Sequence, residues 1–252
     1  MAGHSKRHNI KHRKAAQDAK KGKYYARVAK IIQLAAKDGS DPTMNPKLAL
    51  ALQKAKQYNL PKDIIERAIA KWSGADGEQL FEITYEAYGP NGVALMIKCI
   101  TSNTTRSGQN VRSIVTKYGW NFGEPGSVSW QFTEKGQIYL EGMKQQVEEK
   151  WKKECKIIPF DKDQLEMDVI ELDAESLEID EDTIATVTCS RENFMNIRDA
   201  LEERWYAISE ANLELIASNY IDLDEQQSQR LEKIIEMIED DDDVDEVFHN
   251  AS

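Results

Sequence analysis

The chain has 252 residues, a formal net charge of −11 and 40% hydrophobic content, which is enough for two or three soluble domains with buried cores. No apolar run approaches the roughly 18 residues that span a bilayer, the start lacks a secretory apolar stretch, and Cys99, Cys155 and Cys189 form no Cys-x-x-Cys; a reduced, cytoplasmic protein is expected. The charge is divided: residues 1–72 hold 17 Lys/Arg against 5 Asp/Glu, and residues 73–252 hold 16 against 39.

In chain order, residues 1–13 show no apolar periodicity and read as an extended basic arm. Tyr24/Tyr25, Val28, Ile31/Ile32 and Ala35 follow helical spacing up to a stop at Gly39. Asn45 and Pro46 are an N-cap and first helical residue for a second helix through Leu48, Ala51, Leu52 and Ala55. Leu60-Pro61 opens a third through Ile64, Ile65, Ala68 and Ile69. Strands are expected at Phe81–Tyr88 and Val93–Ile100 around the turn Gly89-Pro90-Asn91-Gly92, then a helix over 104–118 and a strand at Ser127–Phe132. A helix through Leu231, Ile234, Ile235 and Ile238 and a strand at Val244–Phe248 close the chain.

The order ββαβ…αβ resembles a ferredoxin-like split sheet whose last αβ unit returns from far down the chain. The residues between read as an inserted domain, with strands at Gln137–Leu140, Thr183–Cys189 and Leu213–Ala217 and helices near 144–154 and 192–204. Its 163–182 stretch holds ten acids and no Lys or Arg. The expected fold class is α+β: a basic arm and three-helix domain (1–76), a ferredoxin-like α/β domain (80–133 plus 218–252) and an inserted acidic α/β domain (134–217).

Residues 1–30 contain ten Lys/Arg and one acid, Asp18. Such density on an otherwise acidic chain points to a polyanion, because each cation set against a phosphate releases condensed counterions. The candidate nucleic-acid-binding residues here are Lys6, Arg7, His8, Lys11, His12, Arg13, Lys14, Lys20, Lys21, Lys23 and Arg27, with Lys30 continuing the basic run. Tyr24 and Tyr25 have a base-stacking reading and a core-capping one, the second favoured. His4, His8 and His12 recur every fourth residue, but cationic neighbours and the lack of a nearby Cys or carboxylate argue for phosphate contact over zinc.

Ser102-Asn103-Thr104-Thr105-Arg106-Ser107 joins a strand to a helix. Its polar side chains suit either helix capping or anion binding, so Asn103, Arg106 and Arg112 join the candidate set. No catalytic motif is present: there is no P-loop, Gly-x-Gly-x-x-Gly, Gly-x-Ser-x-Gly or His-Glu-x-x-His. A non-enzymatic protein with no metal, cofactor, membrane or small-molecule partner is expected.

The opening Met1-Ala2-Gly3-His4-Ser5-Lys6, with Asn9-Ile10-Lys11-His12-Arg13-Lys14 and Asp18, resembles the YebC family. The similarity continues through Asp41-Pro42, Asn45-Pro46, Asn59-Leu60-Pro61, Ile64-Ile65-Glu66-Arg67-Ala68-Ile69, Tyr85-Glu86-Ala87-Tyr88-Gly89-Pro90, Gly126-Ser127-Val128 and His249-Asn250-Ala251. It covers essentially the whole chain and is weakest across 140–217. The resemblance implies an N-terminal helical domain and two α/β domains, and a role as a DNA-binding probable transcriptional regulator or as a ribosome-bound translational activator. The chain departs from the family pattern in two places: Arg7 stands where Trp is usual, and Ser102 and Thr105 replace the Asp and second Asn of Asp-Asn-x-Asn-Arg-Thr. A divergent paralogue with altered target preference is the expectation from these changes. A protein-interaction adaptor, using the acidic domains to hold a basic partner, is the reading from a different class.

Overall fold

The computed structural model describes residues 21–73, 79–149, 152–181 and 183–252. Two compact units emerge: Thr133–Ile216, and a second unit formed by the described residues up to Phe132 together with Ala217–Ser252.

The second unit begins with three helices, α1 (Lys21–Ala35), α2 (Pro46–Gln57) and α3 (Lys62–Ser73). Asn45 explains the join between α1 and α2. Its Oδ1 accepts from the Leu48 N–H at 3.1 Å while its Nδ2 donates to the carbonyls of Ala35 and Gly39 at 2.7 and 2.8 Å. One buried amide thus caps the start of α2 and the end of α1, with Pro46 pre-set for the first turn. Val28, Ile32, Leu48, Ala51, Ala55 and Ala68 form the core beneath. Tyr24 stacks on Tyr58 with ring centroids 5.6 Å apart, and Tyr25 packs on the same core, so both tyrosines serve the helical fold.

The rest of this unit is an antiparallel sheet, β3-β1-β2-β9, built from β1 (Phe81–Tyr88), β2 (Ala94–Thr101), β3 (Asn121–Phe122) and β9 (Val244–His249). Helices α4 (Thr104–Lys117) and α7 (Glu225–Glu239) contribute to its core. Val111 and Val115 from α4 and Leu231, Ile234 and Ile238 from α7 meet Leu95, Ile97 and Cys99 of β2. Alternation along β2 places those three on the same sheet face. This is the expected ββαβ…αβ order with one change. Residues 127–132 do not form the next strand of this sheet: Ser129–Gln131 is a 3-10 turn and β3 lies earlier, at 121–122.

The cause is Glu86, which is 6% exposed. Its carboxylate accepts from the N–H groups of Gly126 (2.7 Å), Val128 (2.6 Å) and Ser129 (3.0 Å), consuming donors that a strand would offer to its neighbour. Burial would raise this carboxyl's pKa, but those backbone bonds outweigh it and hold the value below the usual range. Asn250 performs a similar task at the other edge. It is buried, accepts from the Ala94 N–H at 2.7 Å and donates to Gln131 at 3.0 Å.

Unit Thr133–Ile216 contains β4 (Phe132–Glu149, starting one residue earlier), β5 (Lys152–Ile158), α5 (Lys162–Glu171), β6 (Ser176–Glu181), β7 (Ile184–Ser190), α6 (Phe194–Glu203) and β8 (Tyr206–Ala217). The sheet order is β5-β4-β7-β6, with β8 also paired to β4. The helix expected near 144–154 does not form among the described residues: those up to Glu149 belong to β4 and those from Lys152 to β5. Met143, Val147, Trp151 and Cys155 have helical spacing, but Gly142 adopts φ +109° and residues 143–149 pair in register with 152–158. The Lys144 N–H also donates to the Trp205 carbonyl at 2.7 Å, so long-range pairing overrides the local period. Within the acidic stretch, α5 forms because Asp161 caps it, accepting from the N–H groups of Asp163 and Gln164. Asp168, 8% exposed, accepts from Arg204 and from Tyr206 Oη at 2.6 Å each.

Candidate nucleic-acid interface

Lys23, Arg27 and Lys30 recur at i, i+4 and i+7, so they share one face of α1, distinct from the apolar line Val28, Ile32 and Ala35. That face meets the C-terminal end of α7 and the acidic segment Asp240–Asp243 that follows it. Lys23 Nζ donates to the Asp240 carbonyl and to Asp240 Oδ1, both at 2.9 Å. Arg27 donates to the Glu239 carbonyl and, at 3.4 Å, to that of Asp241. Lys30 Nζ donates to Asp243 Oδ1 (2.9 Å), the Asp242 carbonyl (2.8 Å) and the Ile100 carbonyl (3.3 Å).

The arrangement follows from helix electrostatics. The last carbonyls of a helix lack intrahelical partners and carry the negative end of its dipole, so cations are drawn there. Here the cations come from a different helix, more than 200 residues away in sequence. Carboxylates of Asp240 and Asp243 add formal charge to the same point. The Lys23–Asp240 pair is about half exposed and worth little alone, roughly 0–1 kcal/mol. Lys30–Asp243 is more enclosed, with side chains 26% and 7% exposed.

Asp243 is the centre of this cluster. Its Oδ2 accepts from Thr101 Oγ1 at 3.0 Å and from an Arg106 guanidinium nitrogen at 2.7 Å. Burial pushes its pKa up, and the hydrogen bonds from Arg106, Lys30 and Thr101 overcome that and hold it below the ordinary carboxylate range. Thr101 Oγ1 also accepts from the Asn103 N–H at 3.0 Å. Asn103 is the N-cap of α4: its side chain accepts from the Arg106 N–H at 3.0 Å. Asn110 reaches the neighbouring Asp241 carboxylate at 3.0 Å.

Lys23, Arg27 and Arg106 of the candidate set therefore converge on one place, the end of α7 and the acidic segment after it, and Asn103 is joined to that place through Thr101. Arg112 stands apart, its guanidinium 4.7 Å from the centre of the Phe122 ring at the sheet edge. Lys21 opens α1, and Lys6, Arg7, His8, Lys11, His12, Arg13, Lys14 and Lys20 lie outside the described residues. Of the two roles open to the 102–107 junction, the structure shows capping, by Asn103. The acidic partners Asp240 and Asp243 and the hydroxyl of Thr101 were not among the sequence candidates. The available signal was an acid run directly after an amphipathic helix. No group of three or more potential metal ligands occurs among the described residues. Neither do those residues include a helix long and apolar enough to cross a membrane.

Comparison with known proteins places two family profiles on the chain: the TACO1/YebC protein N-terminal domain over residues 5–75, and the TACO1/YebC second and third domain over residues 80–251. The chain is 43% identical to the probable transcriptional regulatory protein YrbC of Bacillus subtilis, covering 99% of each chain. It is 42% identical to a probable transcriptional regulatory protein of Dictyoglomus turgidum, over 99% of this chain and 95% of that one. Among solved structures, a conserved hypothetical protein of Aquifex aeolicus superposes with a TM-score of 0.78 at 30% identity, covering 93% of this chain and 91% of that one.

Proposed function

The chain belongs to the TACO1/YebC family, and on that premise we propose that it is a non-enzymatic, cytoplasmic regulator of gene expression that binds nucleic acid through its basic N-terminal segment. The observation that carries this reading is charge. Residues 1–30 hold ten Lys/Arg against one acid, in a chain whose remaining residues are strongly acidic. An acidic body repels a polyanion everywhere except at the basic module, so binding is local and oriented. The bacterial relatives are named probable transcriptional regulatory proteins, which supports transcription as the process, and duplex DNA is the target that process would use.

A second reading, RNA on the ribosome, is favoured by α3. It follows α2 after the short turn 58–61, the position a recognition helix would take, yet two of its three cations, Lys62 and Arg67, are matched within the helix. Arg67 pairs with Asp63, and Lys62 lies 3.7 Å from Glu66. A helix with interleaved acids on its exposed face is poorly suited to a phosphate-lined major groove. A segment rich in Lys, Arg and His is suited to folded RNA, where splayed bases and 2′-hydroxyls are within reach.

Ribosome co-sedimentation paired with selection from a random duplex pool at matched ionic strength separates the two. Recovery of a defined motif bound about a thousandfold above random duplex supports the transcriptional reading. Ribosome association with only sequence-indifferent duplex affinity supports the translational one. Binding to neither refutes both and leaves an acidic adaptor.

A further inference from the structure

The cationic face of α1 is already occupied, and this has a regulatory consequence. Resting on the nucleic-acid reading above, we propose that the segment Glu239–Asp243 is an intramolecular competitor for nucleic acid, a built-in polyanion mimic that holds Lys23, Arg27 and Lys30 until a stronger anion displaces it.

Competition is a matter of donor count. A lysine ammonium has three N–H donors. Lys30 spends them on the carbonyls of Ile100 and Asp242 and on Asp243 Oδ1. Lys23 uses two on Asp240, and the Arg27 guanidinium addresses the carbonyls of Glu239 and Asp241. A phosphate oxygen cannot take Lys30 while this set is intact, and a phosphate approaching Lys23 meets the Asp240 carboxylate. At Lys30 the two partners are therefore mutually exclusive, and at Lys23 the Asp240 carboxylate opposes the incoming phosphate.

The contact is also graded. At the Lys23 end both side chains are more than two-fifths exposed, while at the Lys30 end Asp243 is nearly enclosed and tied to Thr101 and Arg106. A polyanion captured first by the basic residues preceding α1 would thus open the contact from the Lys23 end. Arg106 shares Asp243 with Lys30, so release of Lys30 alters the charge balance at the start of α4 as well. The basic segment that finds nucleic acid and the acidic segment that resists it meet on the same helix. Weak, indiscriminate anions are thereby excluded in favour of ligands that make enough contacts to pay for opening.

The test uses the full chain with a fluorescein-labelled single-stranded RNA and a duplex DNA of random sequence. The variant Asp240→Asn/Asp243→Asn removes the carboxylates that accept from Lys23 and Lys30. Glu232→Gln/Glu236→Gln removes two exposed carboxylates from the body of α7 and matches its net charge. Competition predicts that the first variant binds at least about fivefold more tightly than the second. Its log K against log salt steepens by about 1.4 to 1.8 as Lys23 and Lys30 become available to phosphates. Because Asp243 is buried, the exposed single variant Asp240→Asn is measured beside it and must shift the same way. In the wild-type chain, added oligonucleotide should accelerate amide hydrogen exchange over residues 236–243. If the wild type binds but the Asp240 and Asp243 variants match the charge control, with exchange unchanged, competition is refuted and the function proposed above stands. If no variant binds either nucleic acid, both fall.

Discussion

Glu86→Gln is the sharpest test of how this fold is held, because one side chain replaces the strand that residues 127–132 would otherwise form. The wild-type carboxylate is 6% exposed and accepts from three backbone N–H groups, with Ser127 Oγ a fourth donor at 3.3 Å. Glutamine keeps the shape but turns one oxygen into a donor. Whichever way the amide is oriented, an NH2 group faces either the Gly126 N–H or those of Val128 and Ser129. At least one charge-assisted bond is lost, about 1.5–3 kcal/mol, and a buried N–H is left without an acceptor. We expect a destabilisation of about 2–4 kcal/mol, which for a unit of this size lowers Tm by roughly 5–12 °C.

The assay is thermal and urea unfolding of wild type and variant, followed from pH 7 to pH 3. Because the folded carboxyl lies below its unfolded value, its contribution is fully present above the unfolded pKa of about 4.3 and is lost as pH falls through the folded one. The gap between the proteins should therefore be constant above about pH 5 and narrow below about pH 4. Amide exchange at Gly126, Val128 and Ser129 should rise selectively in the variant. Equal melting temperatures at pH 7, or a gap that persists unchanged at pH 3, would refute the reasoning.

Burial pushes the Cys99 thiol up to about 12 and that of Cys189 to about 11, while Cys155 is exposed; a disulfide reagent at pH 8 should titrate one thiol quickly in the native protein and three after denaturation. Asn103→Ala removes the α4 cap and should cost about 1 kcal/mol of stability while leaving nucleic-acid affinity within twofold, as melting and titration run side by side would show. Deleting residues 2–14 removes five Lys/Arg, and if all contact phosphate the slope of log K against log salt should flatten by about 4. An unchanged slope would take those residues out of the interface.

What could be read from the sequence was whatever neighbouring residues decide among themselves. Asn45-Pro46 caps α2 because its hydrogen-bond partners lie within ten residues, and Gly89-Pro90-Asn91-Gly92 turns the chain by its own backbone preferences. The apolar periods of α1, α4 and α7 likewise needed no knowledge of distant segments. Where sequence reading failed, a remote group had claimed the backbone. Glu86 took the N–H groups of Gly126, Val128 and Ser129 from 40 or more positions away, and β5 with Trp205 drew 143–149 out of a helical period. The candidate interface divides the same way. Clustered positive charge is a local property, legible as soon as residues are counted. The partner of Lys30 is 213 residues distant, and only the folding of α7 beside β2 brings a helix terminus, two carboxylates and a run of carbonyls to the face of α1. Salt screens Coulomb attraction beyond about 10 Å, so which opposite charges meet was set by tertiary structure, while the sequence alone determined that they were there to meet.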